Sequence, residues 1–471
     1  MNRLSSDIIL ELVPWIDQSE HKTLRLISKT FTAAMESTFW ANRFVALVAR
    51  ESVDLERLLL KLEEMRNNPS SSQKIQGLRF NLSVIDQVGM EELCQKVEKV
   101  LPEALSKLQG LRRASWIDPG WAIETVTQSL ASLPLLADLT ISQREWRAEP
   151  SPNLPLHHFR RGTLERLLIN TSYEDRDGYL SSLSILLAHN PCIRHLELLE
   201  WQFPPTIPLV FNELFQRQPI FRPLRLESLH LFGWRLTPEV IPHLRSLRSL
   251  EFDGHAELPN LTFWKTLETE NIHLRRIVTV PYAPLLDYLD TFSGLEVLAV
   301  LEDRWHTEDL KEAEVLARRF YQVVLPKHKA SLKELSFRSV GPNIWNVSEW
   351  NLEGFNGYRE LRTLEVEICE DDIHATSNPE KHIVGALVKR LIALPKFQRL
   401  TLRPLFHGRE GTGFVGEGIS QLSRILDMKV KLGEVVVASV IQVTVDGIRA
   451  IYFPEIIEGE IVFKCVSNVY I

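Results

Sequence analysis

Cysteine is scarce in this chain: its four copies among 471 residues, Cys94, Cys192, Cys369 and Cys465, lie far apart and form no C-x-x-C pair. This spacing argues against a disulfide scaffold and a zinc site, and it favours a reducing compartment. No apolar run approaches the roughly 18 residues that a membrane helix needs, and no apolar signal region precedes the first acidic residue, Asp7. We therefore expect a cytoplasmic or nuclear protein with no membrane partner.

Charge of predominantly one sign is also missing. The formal net charge is −7 with 24% charged residues, which gives no reason to expect a nucleic-acid partner. The hydrophobic content of 44% is ordinary for a protein with a sizeable core.

Catalytic signatures are absent as well: the chain has no G-x-S-x-G, H-E-x-x-H, kinase or P-loop motif. Eight residues separate Leu402 from a G-x-G-x-x-G run at 411–416, and no βαβ unit follows the run, so we interpret it as a loop rather than a dinucleotide site. The acidic run 370–372 with His374 is typical of a solvated loop, and the adjacent pair His157-His158 is expected to point apart. We therefore expect no enzyme, no metal and no cofactor.

One short phrase recurs instead: an apolar residue, any two residues, an apolar residue, any one residue, an apolar residue. Its ten full copies are Ile75-Leu78-Phe80, Leu136-Leu139-Ile141, Leu164-Leu167-Ile169, Ile193-Leu196-Leu198, Leu226-Leu229-Leu231, Leu247-Leu250-Phe252, Leu295-Leu298-Val300, Leu332-Leu335-Phe337, Leu361-Leu364-Val366 and Phe397-Leu400-Leu402. Two degraded copies are Leu108-Leu111 with Arg113 in the third slot and Leu274-Ile277 with Thr279. The mean spacing of about 29 residues indicates a repeat protein.

Each phrase predicts a strand, because its second and third apolar residues alternate to one side. The segments between phrases carry apolar residues at helical spacing, as in 122–133, 179–189, 209–216 and 382–394. One strand and one return segment cannot bury their apolar faces alone, whereas stacked neighbours can. We therefore expect an α/β solenoid, with an ordinary α/β domain rich in leucine strands as the alternative.

Residues 75–405 resemble the leucine-rich-repeat family. That family usually places Asn or Cys three residues after the last strand leucine, and here only Cys369 matches. Because the asparagine series is missing and the spacing is uneven, the resemblance implies an irregular horseshoe. Trp116, Trp201 and Trp234 share the turn slot, where we expect them to pack beneath the turn.

Residues 1–50 differ from the repeats and predict three short helices, the third carrying Phe39, Trp40, Phe44 and Leu47. This segment resembles the F-box. The matching residues are Leu4, Asp7 and Ile8 at the opening, Leu24, Ile27, Ser28 and Phe31 in the middle, and Phe39 and Trp40 at the end. Ser5 replaces the usual Pro, and Ser28 the usual Cys.

The F-box resemblance implies binding to a Skp-family linker and, through it, to a cullin complex. The residues expected at that contact are Leu4, Ile8, Ile9, Leu12, Leu24, Ile27, Phe31, Phe39 and Trp40. The alternative is a three-helix cap that only shields the first repeat.

The outward strand positions, which alternate with the phrase residues, are expected to face the concave side. A target-binding set is predicted there: Leu168, Leu199, Phe232, Val278, Val280, Val297 and Leu301. Charged outward residues follow towards the C-terminal end: Glu334, Arg338, Glu365, Glu367, Arg399 and Arg403. An apolar strip edged by charge is typical of a protein-binding surface.

The predicted organisation is a 1–50 F-box, a helical join with a first degenerate repeat at 51–107, leucine-rich repeats at 108–405 and a β-rich C-terminal cap at 406–471. Partial covering of the concave side by that tail is an alternative. The two resemblances together imply a substrate-recognition adaptor of an SCF-type E3 ubiquitin ligase that holds an unknown target protein. The competing hypothesis is a protein-binding scaffold with no link to ubiquitin.

Overall fold

The computed structural model describes most of the repeat region and parts of the C-terminal tail. The described residues are 44–48, 52–81, 91–117, 123–142, 154–170, 175–200, 208–217, 222–252, 259, 261–301, 310–338, 344–369, 383–405, 430–431, 440–445, 448–457 and 460–470. The chain divides into two compact units, unit 1 (1–226) and unit 2 (227–471), and each is described by itself.

Unit 1 is built on parallel strands that follow one another in chain order. The strands are β1 (Phe44–Val48), β2 (Gly77–Asn81), β3 (Arg113–Ile117), β4 (Asp138–Ser142), β5 (Arg166–Asn170), β6 (His195–Leu199) and the short β7 (Leu209–Val210). From β1 to β6, each strand pairs in parallel with the next. The return segments contain α1 (Ser52–Asn67), α2 (Pro69–Ser72), α3 (Glu91–Ser106), α4 (Ile123–Ala131), a 3₁₀ turn (Leu156–His158), α5 (Arg176–His189) and α6 (Glu213–Gln216).

Unit 2 repeats this arrangement. Its strands are β8 (Ser228–Phe232), the short β9 (Trp234–Arg235), β10 (Ser249–Phe252), β11 (Arg276–Thr279), β12 (Val297–Leu301), β13 (Glu334–Arg338), β14 (Thr363–Cys369), β15 (Arg399–Leu405), β16 (Val430–Lys431), β17 (Val440–Val445), β18 (Ile448–Ile457) and β19 (Glu460–Tyr470). Strand β8 pairs in parallel with β10, and parallel pairing then continues in chain order to β15.

The return segments of unit 2 vary more in length than those of unit 1. They contain a 3₁₀ turn (Pro238–Val240), α7 (Ile241–Leu244), α8 (Leu261–Thr269), α9 (Ala283–Leu289), α10 (Leu310–Arg319), a π-helical segment (Phe320–Val324), α11 (Leu325–Lys327), a second 3₁₀ turn (Leu352–Phe355) and α12 (Ile383–Ile392). The unequal returns match the uneven spacing of the phrases.

The repeated phrase forms the core of both units. Every apolar residue of the ten full copies is buried, and in most cases its side chain is wholly inaccessible to water. Removing so much apolar surface from water is the main force that stacks the repeats. The predicted α/β class and parallel stacking are confirmed, and the arrangement within each unit is consistent with a solenoid.

The structure corrects the phrase assigned to Leu108, Leu111 and Arg113. Strand β3 pairs Leu78 with Ala114 and Phe80 with Trp116, so the true phrase is Leu111-Ala114-Trp116. Ala114 and Trp116 are buried and Arg113 is exposed. A small residue beside a large one fills the same core volume as two leucines, which the search for three large aliphatic residues did not recognise. Trp116 does pack in the core, but from the strand rather than the turn.

The structure also contains a strand where the third N-terminal helix was expected. Phe44 and Leu47 belong to β1, which pairs in parallel with β2 and sets Val45 beside Leu78 and Leu47 beside Phe80. Leu47 is wholly buried. The expected helix at these two residues is therefore wrong: the short apolar run FVALV, rich in valine and aromatic residues, suits a buried strand. An additional repeat thus precedes the first one identified from sequence.

The predicted helices are mostly confirmed in α1, α3, α4, α5 and α12. The exception is 209–216, where the two-residue strand β7 precedes the single-turn helix α6.

Polar side chains link successive repeats in place of the missing asparagine series. Just before the Ile193 phrase, Asn190 accepts a hydrogen bond from the backbone N–H of Leu164 at 3.3 Å. Its amide donates to the carbonyl oxygens of Phe159 (2.7 Å) and Leu186 (2.8 Å). Asn190 is 1% exposed, so it satisfies backbone groups that water does not reach.

In unit 2, two other residue types provide the same link. The Tyr288 hydroxyl accepts from the Leu274 N–H at 3.1 Å and donates to a carbonyl oxygen at 2.6 Å. His328 accepts from the Leu295 N–H through Nδ1 at 3.4 Å, and its Nε2 lies 3.2 Å from the Leu289 carbonyl oxygen. Asn, Tyr and His therefore each bond the first N–H of the preceding phrase. Because the residue type varies, the function of this position is not visible in the sequence.

The described part of the tail extends the sheet at its end. Strand β17 pairs in parallel with β15, and β18 and β19 then continue as an antiparallel meander, with β16 against β19. Only β17 among the described tail strands lies edge to edge with a repeat strand.

Candidate protein-binding face

The candidate site is the face of each sheet that carries the outward side chains, opposite the buried phrase residues. Parallel sheets are usually covered on both faces. Here the outward residues of the described strands are mostly half-buried or exposed. This face therefore has the property of a surface to which another molecule could bind.

In unit 2 the centre of this face is apolar. We define the apolar strip as Val278 on β11, Val280 just after it, and Val297, Ala299 and Leu301 on β12. Val297, Ala299 and Leu301 are half-buried, and the register places Val278 beside Ala299. The strip is contiguous because residues of the same alternation on paired strands lie side by side.

Three predicted target-binding residues are less accessible than expected. Phe232 is 8%, Val278 5% and Val280 2% exposed. They support the face from within rather than presenting side chains to a partner. By contrast, Val297 and Leu301 in unit 2, and Leu168 on β5 and Leu199 on β6 in unit 1, are half-buried and present part of their surface.

A charged cluster lies on one side of the apolar strip, and we call its members His230, Glu251 and Arg276 the histidine cluster. Arg276 Nη2 lies 3.1 Å from Glu251 Oε2, and His230 Nε2 lies 3.5 Å from Glu251 Oε1. The sequence prediction missed this cluster. The cluster could have been predicted from the sequence, because all three residues occupy outward strand positions. The sequence prediction included charged outward residues only towards the C-terminal end.

A second charged group, the arginine cluster, lies on the other side and comprises Arg338, Glu365 and Arg403. Glu365 Oε1 lies 3.3 Å from Arg338 Nε and 2.5 Å from Arg403 Nη2. The Glu365 side chain is 15% exposed, whereas those of the two arginines are 53% and 40% exposed. The carboxylate therefore anchors two guanidinium groups whose outer edges remain open to a partner.

The remaining predicted charged positions differ in exposure. Glu334 and Arg399 are exposed, while Glu367 is 4% exposed. Glu367 therefore belongs to the interior of the face rather than its rim.

The corresponding face of unit 1 is more polar. Leu168 and Leu199 lie near the ion pair between Arg166 Nη2 and Glu197 Oε1, which are 2.8 Å apart. Burial raises the pKa of the nearby Asp138 carboxyl, and the positive charge of Arg166 opposes that shift. Mixed charge and few apolar groups make this face a weaker candidate than that of unit 2.

The predicted linker-binding residues lie outside the described residues. They are Leu4, Ile8, Ile9, Leu12, Leu24, Ile27, Phe31, Phe39 and Trp40. The acidic run 370–372 with His374, the glycine run 411–416 and Trp201 also lie outside them.

The described residues contain no group of three or more His, Cys, Asp and Glu side chains that could hold a metal ion. His157 and His158 do not point apart as expected: their ring centroids are 4.2 Å apart, because both belong to a tight 3₁₀ turn rather than a strand. The His158 ring instead contacts Glu124 on α4, with Nε2 2.5 Å from Oε1. None of the helices in the described ranges has the length and apolar character needed to cross a membrane.

No protein-family model matches the chain, and no curated protein matches it. Among solved structures, the chain is similar to one chain of the Rad7 and Elc1 complex in yeast, with 12% sequence identity and a TM-score of 0.44. The similarity covers 87% of this chain and 90% of that chain. A similarity of this size does not bear on what the chain does.

Proposed function

We propose that this chain is a non-enzymatic adaptor whose unit 2 holds a target protein against the apolar strip. In the same proposal it is the substrate-recognition subunit of an SCF-type E3 ubiquitin ligase, with an F-box before an irregular leucine-rich-repeat horseshoe. It would act in the cytoplasm or nucleus and bring the target close to the ubiquitin-charged enzyme, so its contribution is proximity rather than bond chemistry.

The observation that carries the protein-binding part is the apolar strip between two charged clusters, in which Val297, Ala299 and Leu301 are half-buried. An apolar centre gives affinity when it is removed from water, and polar groups around it give orientation and specificity. The histidine and arginine clusters are pre-formed by internal ion pairs, so a partner would not have to order them on binding. A small-molecule site would instead need a concave pocket.

The ubiquitin part of the proposal has a different support, the F-box resemblance of residues 1–50. Its prediction is that the linker contact and the target contact are separable. The N-terminal change Ile8→Asp with Leu24→Asp should abolish linker binding and leave the target contact intact.

The test is affinity purification with mass spectrometry of the wild type and two sets of variants. Val297→Glu with Leu301→Glu places two charges in the apolar strip, and we expect it to lose the target and keep the linker. Val315→Glu is the matched control, because Val315 lies on α10 of the same unit and is 66% exposed. It should keep both partners.

Two outcomes would contradict the proposal at different points. If no Skp-type linker is recovered with the wild type, the ubiquitin role is wrong and the scaffold hypothesis replaces it. If the strip variant retains every partner of the wild type, while circular dichroism shows that it is folded, the apolar strip is not the target-binding surface.

A further inference from the structure

A second surface of unit 2 has the features of a binding site. A groove of about 640 Å³ lies between the turn that precedes β14 and the C-terminal part of α12. Its sides are formed by Arg359 from the turn and by Lys389 and Arg390 from the helix. The small side chains of Ala386 and Ala393 leave the groove open.

The groove is basic although the whole chain carries a net charge of −7. No acidic side chain is among the described residues that line it. Within the part of the chain that the structure describes, Arg359 and Lys389 form no ion pair, whereas nearby Lys396 is paired with Glu360 at 2.7 Å. Among the described residues, the Arg390 side chain donates a hydrogen bond only to the Ala386 carbonyl oxygen of its own helix, at 3.4 Å. The groove therefore concentrates positive charge that is not neutralised from within.

The chemistry of the surroundings narrows the choice of ligand. The groove lies at the C-terminal end of α12, where backbone carbonyl oxygens carry partial negative charge. A compact dianion such as phosphate is favoured at a helix N-terminus and gains least here. No aromatic side chain is among the described lining residues, so nothing there would stack with nucleic-acid bases. Leu394, which is 9% exposed, closes the groove from within.

We propose that this groove binds an acidic segment of a partner protein, with carboxylates at Arg359, Lys389 and Arg390. The carboxylates of an extended peptide are spaced, so they reach the tips of the three cationic side chains without approaching the helix carbonyls. This surface is separate from the apolar strip, and the inference does not depend on the ubiquitin role.

The test measures fluorescence anisotropy of a short fluorescein-labelled glutamate-rich peptide added to the full chain. We expect saturable binding that weakens at high salt. Arg359→Gln with Lys389→Gln should weaken binding about tenfold or more, because hydrogen bonds to charged groups are the stronger ones. Arg248→Gln with Lys265→Gln is the matched control, since both residues are exposed, lie in unit 2 outside the groove and produce the same charge change. It should bind like the wild type.

A second variant protects the test against misfolding. Ala393 is exposed, so Ala393→Glu should fold normally while placing a negative charge in the groove, and it should also reduce binding. The proposal is overturned if the peptide shows no saturable binding up to about 1 mM, or if the groove variants bind as the control does. It is also overturned if a glutamine-substituted peptide binds equally well, or if a phosphoserine peptide or a single-stranded oligonucleotide binds about tenfold more tightly.

Discussion

Replacing Asn190 with alanine removes a side chain that joins two repeats of unit 1 through three hydrogen bonds. The partners are the Leu164 N–H and the carbonyl oxygens of Phe159 and Leu186, all in a region where Asn190 is only 1% exposed. A typical hydrogen bond contributes about 0.5–1.5 kcal/mol net, so three contribute about 3 kcal/mol. Because backbone groups would be left buried and unpaired, the free energy of unfolding should fall by at least about 3 kcal/mol.

The measurement is urea unfolding, with hydrogen exchange as a local readout. A loss of about 3 kcal/mol corresponds to a change of about 150-fold in the unfolding equilibrium. The amide of Leu164 should exchange faster than in the wild type, since it loses its acceptor. Gln128→Ala is the control: it also converts an amide to alanine in unit 1, but Gln128 is exposed, so the change should stay within about 0.5 kcal/mol.

Two results would refute this reasoning. If Asn190→Ala costs less than about 1 kcal/mol, the three contacts do not hold the repeats together. If the Leu164 amide remains as protected as in the wild type, the Asn190 side chain is not its hydrogen-bond acceptor.

Three further predictions concern the repeat core. Thr279 occupies a phrase position and is 2% exposed, and its hydroxyl has no hydrogen-bond partner among the described residues. Thr279→Val should therefore raise the free energy of unfolding by about 1 kcal/mol. The control is Thr140→Val, at a half-buried outward position, and no gain at Thr279 would contradict the prediction. Burial lowers the pKa of His328 to about 4 from 6.5, so as the pH falls through this window the unfolded state binds a proton that the folded state does not. His243 has a pKa lowered in the same way, so the loss of stability in urea unfolding between these pH values should be smaller by about 3 kcal/mol in His328→Gln than in the wild type. An unchanged pH dependence in that variant would refute the assignment. A Cβ at Gly110 would lie 2.2 Å from the Gln73 carbonyl oxygen, so Gly110→Ala should cost about 1–3 kcal/mol in urea unfolding, and a neutral effect would show that the turn can move.

The buried side of each repeat was predictable from sequence alone. Residues such as Leu196, Leu250 and Leu335 alternate with polar neighbours, and alternation determines which side chains share a face of a strand. The apolar character of Val297 and Leu301 on the opposite face followed from the same alternation. These are local properties, so they can be read without knowing which strands are neighbours.

What only the tertiary structure decided depends on contacts between residues distant in the chain. The register of β3 required its pairing with β2, since Leu108 and Leu111 suit the phrase as well as Ala114 and Trp116 do. The burial of Val278 and Val280 depends on what packs around them, which alternation does not specify. The links made by Asn190, Tyr288 and His328 were invisible because a buried N–H can donate to any correctly placed acceptor. The placement of that acceptor is set by the neighbouring repeat rather than by the residue's own sequence context.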